Sequence, residues 1–373
     1  MSWKNSTGCI LWSLREGHIT MQKYDQATAL DQLLYGQFIK YVVLKDLVGM
    51  EFANSNAQEV NVFIDVYEML LPLYKSINSK DSAEAISSAV INYASHFRAY
   101  FRQVHRVETN IIFVYSAVSS SMIARFCPEY NAKYRNRILS NDIMAEQVVM
   151  AIDRMKQIIP YLPNIFLKIG SVEPSVIIRD LILHEAMFQE MPNIVISTSQ
   201  YAYQIPAYCP DTVVFRKIFN GKEVTACSYN LLSAIPVFIA ETRKVAVENV
   251  IHPKLITALM VLSGIPKRNI TSTKNIANTM ELLVGIPQEA IGDINYLYDL
   301  IKERADQNKW KIMSREEFTN RYMAISIEYQ GELYRNLPES TESSFLIQIN
   351  DPNGVQYVNN KYYAKHPLDL QRM

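Results

Sequence analysis

Short apolar runs alternate with helix-like stretches through the middle of the chain. They are Val60-Asn-Val-Phe-Ile-Asp65, Asn110-Ile-Ile-Phe-Val-Tyr115, Asn164-Ile-Phe-Leu-Lys-Ile169, Asn193-Ile-Val-Ile-Ser197 and Thr212-Val-Val-Phe215. Runs this short and this rich in β-branched and aromatic residues read as buried strands, and their alternation with helices predicts an α/β fold. The central sheet is expected to be mainly parallel and flanked by helices, because parallel strands are covered on both faces. Before this pattern, Leu30, Leu33, Leu34, Phe38, Ile39 and Val42 stand at helical spacing, and a polar run from Asn54 to Glu59 ends the stretch. After it, Leu231, Leu232, Ile235, Leu255, Ile256, Leu259, Met260, Ile276, Met280 and Leu283 restore helical periodicity. The pattern divides the chain into an N-terminal helical extension (1–59), an α/β core (60–227), a helical subdomain (228–304) and a C-terminal extension (305–373). The last of these is rich in Tyr, Asn and Pro, with an expected strand over Ser344–Ile349 and a turn at Asp351-Pro-Asn-Gly354.

Composition adds exclusions more than assignments. The 373 residues are 49% hydrophobic and 20% charged, enough to bury a sizeable core. Lys+Arg and Asp+Glu both number 37, so attraction to nucleic acid has to come from a local cluster. Cys9, Cys127, Cys209 and Cys227 lack zinc-site spacing and read as reduced core thiols, which favours an intracellular, cytoplasmic protein. Charged residues break the apolar N-terminus, and no window approaches the ~18 uninterrupted apolar residues of a membrane helix. Glycine is scarce at 11 residues, and neither GxGxxG nor GxxxxGK[ST] occurs. The six histidines are scattered; His184 and His252 read as structural groups, and nothing in the spacing pairs one with Ser197 or Ser199 as a nucleophile.

Ligands of open α/β sheets sit beyond the carboxyl ends of the strands, so the residues after each apolar run are the ones to inspect. The first run ends in Asp65. The second ends Phe113-Val-Tyr-Ser116 and is followed by Cys127-Pro-Glu-Tyr-Asn-Ala-Lys-Tyr-Arg135. The third leads into Gly170-Ser-Val-Glu-Pro-Ser-Val176, the fourth into Ile196-Ser-Thr-Ser-Gln-Tyr-Ala-Tyr-Gln-Ile205, and the helical region carries Gly264-Ile-Pro-Lys-Arg-Asn-Ile270. In order and spacing these strings resemble the flap endonuclease and 5′→3′ exonuclease (PIN-like) family, over roughly Val60 to Val284. The resemblance implies a PIN-like core, an arch region at about 98–140 and a helical subdomain like the family's duplex-binding helix-hairpin.

It also implies a site that has lost most of its acids. Asp65 and Glu173 stand where the family has metal-binding carboxylates. Phe113-Val-Tyr-Ser116 stands where an Asp belongs, Ser175 and Val176 replace two aspartates, Ser199 and Tyr201 two more, and Ile265 and Arg268 the pair in the helical region. Two divalent ions about 3.5–4 Å apart need a ring of carboxylates to hold them. Asp65 and Glu173 supply at most one weak site, and the charge of Arg268 opposes a metal. No cofactor is expected, with Mg²⁺ or Mn²⁺ entering only if the chain is an active nuclease after all. The bland alternative for Asp65 and Glu173 is capping or ion pairing at helix starts.

Binding outlasts catalysis in this reading. Between residues 98 and 137 stand Arg98, Arg102, Arg106, Arg125, Lys133, Arg135 and Arg137 against Glu108 and Glu129, a net +5. Arg98, Arg102 and Arg106 would line one helical face, Tyr130 and Tyr134 would stack on bases, and Lys267, Arg268 and Lys274 would meet duplex backbone. An ordinary solvated helix face is the equal alternative. Three functions follow: a non-catalytic pseudo-nuclease, of expected phage or viral origin, that binds DNA or joins protein partners in a nucleic-acid-processing complex; a scaffold without nucleic-acid binding; or an active metal-dependent nuclease. No membrane partner is expected.

Overall fold

The computed structural model describes residues 11–13, 59–66, 94, 98, 101–102, 106–116, 126, 142–162, 164–170, 172–189, 191–216, 223–228, 238, 251–265, 272–336 and 344–346. Its centre is a sheet of strands β1 (Leu11–Ser13), β2 (Glu59–Asp65), β3 (Glu108–Ser116), β4 (Ile165–Gly170), β5 (Asn193–Ile196), β6 (Thr212–Arg216), β7 (Glu223–Ser228) and β8 (Ser344–Leu346), in spatial order β1-β7-β6-β5-β2-β3-β4-β8. The five strands from β6 to β4 are mutually parallel. All five come from the apolar runs, and the expected mainly parallel α/β sheet is what forms. Residues 60–65 of β2 are buried without alternation, as a strand covered on both faces requires.

Three antiparallel strands complete the edges. β7 pairs with β6 and β1 with β7, while β8 pairs with β4. Part of the expected strand at 344–349 is therefore present, and residues 11–13, from the region expected to be helical, form an edge strand. β7 carries no strong apolar run and was not anticipated. The helical positions 30–42 and the turn at 351–354 lie outside the described residues.

Register is held at the amino edge by a row of asparagines. Asn61 pairs with Asn110 on one side and Asn193 on the other. The Asn61 amide donates to Asn193 Oδ1 at 3.0 Å, and Asn110 donates to Asn61 Oδ1 at 3.1 Å. These amides satisfy one another where a one-residue slip would leave them buried against apolar groups.

Helix α1 (Asp142–Ile158) precedes β4, and α2 (Pro174–His184) and the short α3 (Ile205–Tyr208) join the parallel strands. Gly170, at the end of β4, permits a close approach there. A Cβ on it would lie 2.8 Å from Ile177 Cδ1 of α2 and 3.1 Å from the Tyr334 hydroxyl. The later helices are α4 (Ile256–Ser263), α5 (Ile276–Leu283), α6 (Ile294–Gln307), α7 (Arg315–Ile325) and α8 (Ile327–Arg335). Every residue of α4 is buried, which matches its nearly uniform apolar sequence. One core runs from Phe63, Ile112 and Val195 of the sheet through Leu259, Leu283, Ile301, Phe318 and Ile325, so it is continuous across the expected boundary at residue 228. Helix α6 likewise crosses the expected boundary at 304. Cys209 is a buried free thiol, and burial pushes it up to about 12.

Gln204 joins sheet and helices. Fully buried, it donates from Nε2 to the Ile325 carbonyl at 3.1 Å and accepts at Oε1 from Thr257 Oγ1 at 2.9 Å and from the Ile327 backbone N–H at 3.4 Å. One amide thus satisfies groups on α4 and at the α7–α8 junction. Replacing it, Gln204→Leu, removes a buried hydrogen-bond partner from each of those groups and is expected to cost about 2–4 kcal/mol of stability. Chemical denaturation checks this, and an unchanged midpoint would contradict it.

Candidate functional site

The strand order β4-β3-β2-β5-β6 reverses direction between β2 and β5. That reversal is where an open α/β sheet splits its flanking connections and leaves a crevice beyond the carboxyl ends. The residues at this point are Asp65, which ends β2, and Ser197, which follows β5. Each is one position beyond the row Ile64, Ile196 and Phe215, which pair across β2, β5 and β6; the next residue of β6 is Arg216. Asp65, Ser197 and Arg216 thus occupy one level of the rim, 1%, 2% and 1% exposed respectively.

Hydrogen bonds close this level. Ser197 Oγ donates to Asp65 Oδ2 at 2.9 Å and accepts from the Ser199 N–H at 3.0 Å. Ser199 Oγ accepts from the Tyr201 N–H at 3.3 Å, so it caps the short turn Gln200–Gln204. Arg216 donates to the Thr198 carbonyl through Nε at 3.0 Å and Nη2 at 2.6 Å, and to the Tyr203 hydroxyl at 3.3 Å. Its guanidinium also lies 4.9 Å from the Tyr203 ring centre. The Ser197–Ser199 loop is therefore tied at its start to a carboxyl group and at its middle carbonyl to a buried cation. Arg216 escaped the sequence reading; the available signal was a charged residue directly after an apolar strand run.

Of the other positions where acids were expected, only Glu173 carries a carboxylate. Ser116 ends β3 and is buried. Ser175 is 1% exposed and its hydroxyl has no hydrogen-bond partner, while Val176 and Tyr201 belong to the hydrophobic core. Ile265 is likewise a core residue. Glu173 is buried at the N-cap of α2, and its side chain makes no cap hydrogen bond. It lies beyond β4, two strands from Asp65, which spans about 10 Å at the usual strand spacing. Among the described residues no three His, Cys, Asp or Glu side chains gather at one point. At the reversal point the Asp65 carboxyl group is accompanied by a serine hydroxyl, backbone groups and an arginine, whereas a pair of hard divalent ions calls for several oxygen ligands.

The arginine series does not form the single basic face expected of it. Arg98 is 6% exposed, and burial, aided by the charge of Arg102, lowers its pKa from the ordinary value. Arg102 makes a two-pronged bond to Glu108, Nε to Oε1 at 2.9 Å and Nη2 to Oε2 at 2.7 Å. That bond raises Arg102 and holds Glu108 below the usual carboxylate range. Arg106 is exposed at φ 57°, where the chain turns into β3. Of the three cations, Arg98 is buried beside the sheet, Arg102 is held by Glu108 at the start of β3, and Arg106 lies beyond the helical stretch. Arg125, Lys133, Arg135, Arg137, Lys267, Arg268, Tyr130 and Tyr134 lie outside the described residues. His252 Nδ1 accepts from the Lys254 N–H at 3.2 Å as a turn cap, and His184 sits beside Asp180 and Arg335.

No protein-family model matches the chain, and no curated protein sequence does. Among solved structures it is similar to the bacteriophage T5 D15 protein co-crystallised with metal ions, with 12% identity, 83% of this chain and 99% of that chain covered, and a TM-score of 0.46. It is also similar to the T5 5′-exonuclease with bound zinc, with 13% identity, coverages of 84% and 96%, and a TM-score of 0.42. The catalytic core of Rad2 in complex with DNA substrate gives 9% identity, coverages of 84% and 89%, and a TM-score of 0.44.

The Ser197 hydroxyl is the donor that meets Asp65 at the rim. A double-mutant cycle of Asp65→Ala and Ser197→Ala is expected to return a coupling of about 1.5–3 kcal/mol, the range for a hydrogen bond to a charged group. Additive single effects would mean that the two side chains do not support each other.

Proposed function

We propose that this chain is a non-catalytic protein built on a 5′ nuclease-like α/β fold, acting in nucleic-acid metabolism by binding DNA or as a subunit of a nucleic-acid-processing complex. The observation that carries the reading is the hydrogen-bonded row Asp65, Ser197 and Arg216 at the topological reversal. A nuclease of this kind needs that point open and lined with carboxylates. Here a hydroxyl meets the one carboxyl group, and a guanidinium supplies fixed positive charge two strands away. The family positions now held by Val176, Tyr201 and Ile265 are core positions. Restoring acids there would bury charge among apolar side chains.

A second reading, a scaffold that holds protein partners without touching nucleic acid, draws support from the burial of Arg98 and the pairing of Arg102 with Glu108. The two readings separate on salt. Nucleic-acid contact through phosphates weakens steeply as salt rises, because bound counterions are released. Binding of the full chain to duplex or single-stranded DNA that falls with salt supports the first reading, and no binding at low salt supports the second.

Loss of catalysis is tested with a flap substrate and Mg²⁺ or Mn²⁺, where no cleavage is expected. Neither ion, added at millimolar concentration, is expected to raise the melting temperature, since a ligand stabilises only what binds it. Cleavage abolished by Asp65→Ala, or metal stabilisation lost in that variant, would overturn the proposal.

A further inference from the structure

The turn between α6 and α7 concentrates positive charge outside the arch region and the strand rim. Residues 308–315, Asn-Lys-Trp-Lys-Ile-Met-Ser-Arg, contain Lys309, Lys311 and Arg315 and no acid. The turn is firmly placed. Asn308 N–H donates to the Arg304 carbonyl at 3.2 Å, Lys309 N–H to the Asp306 carbonyl at 3.0 Å and Trp310 N–H to the Ala305 carbonyl at 2.7 Å. Lys309 takes φ 54° to make the bend, a left-handed conformation that favours glycine or asparagine over a lysine.

Trp310 is half-buried against the core, and its ring centre lies 5.7 Å from the Lys274 ammonium. Lys274 comes from the turn before α5, so the tryptophan draws a third lysine to the same surface through a cation–π contact. Three of the neighbouring acids are engaged, while Glu316, next to Arg315, is exposed. Asp306 pairs with Lys302, Asp299 with Arg315, and Glu303 accepts from Gln307. Lys309 and Lys311 are exposed, and among the described residues neither they nor Lys274 has an ion-pair partner. The carbonyl end of α6 accounts for one nearby cation by its dipole, and not for three.

We infer that Lys274, Lys309 and Lys311, arranged around Trp310, form a phosphate-contacting surface for the nucleic-acid backbone. This rests on the nucleic-acid reading proposed above. Lysines are compact point charges without the planar fork of arginine, so the surface grips phosphates and reads no base sequence. The tryptophan, its ring met by Lys274 and packed on the core, positions the cations and does not stack on bases.

The test measures DNA affinity of the full chain against salt for wild type, for the double variant Lys309→Gln and Lys311→Gln, and for a charge-matched control, Arg154→Gln and Lys156→Gln on α1. On duplex DNA each lost phosphate contact lowers the log–log salt slope by about 0.9. The double variant is therefore expected to lose about 1.8 from the slope, equally on unrelated sequences, while the control keeps the wild-type slope. A double variant that binds like wild type, or a control that loses as much, overturns the assignment and leaves the nucleic-acid reading standing. No binding by wild type at low salt overturns both. Both lysines are exposed, so matching melting curves confirm that the variants fold.

Discussion

A carboxyl group that is almost fully enclosed at the end of a central parallel strand must be met by donors, because an unmet charge or polar group there carries a desolvation cost of kilocalories per mole. Metal ions are one way to meet it. In this chain the Ser197 hydroxyl donates to Asp65 and is oriented by the Ser199 N–H, within a loop whose middle carbonyl is held by Arg216. Once the reversal point is closed in this way, the remaining rim positions are free to become apolar or lightly polar. Val176 and Tyr201 have joined the core.

The same loop runs directly into Gln200–Gln204, and Gln204 is the point at which the helical region is anchored. Rim and helices are thus coupled through a stretch of only a few residues. A continuous core from β2 to α7 makes the coupling a matter of packing as well as of hydrogen bonding. Charge is distributed by the same logic. Arg98 and Arg216, close to the sheet, are buried, Arg102 pairs with Glu108 near the surface, and the cations on the α6–α7 turn remain exposed.

Much of the architecture was legible in the chain because parallel strands, buried on both faces, read as continuous apolar runs between helices. The five runs became β2 to β6 within a residue or two of their expected ends. Edge strands were harder. β1 and β7 are antiparallel and have only one fully paired neighbour or a short partner, so their composition carries a weak signal, and only the tail strand β8 was anticipated. The asparagines at the strand starts were visible but their meaning was not, since their pairing depends on which strands become neighbours.

For the site, the sequence by itself determined that a carboxyl group ends the first parallel strand, that Glu173 opens a helix after the third, and that hydroxyl and apolar residues and one arginine occupy the other positions. Residue type and position relative to a strand end are local properties, and periodicity reveals them. Only the tertiary structure decided that Ser197 faces Asp65, that Arg216 ties the loop after Ser197, that Arg98 is buried, and that Lys274 meets Trp310. Those are contacts between segments far apart in the chain, and strand order and packing, which no local pattern encodes, set which groups meet.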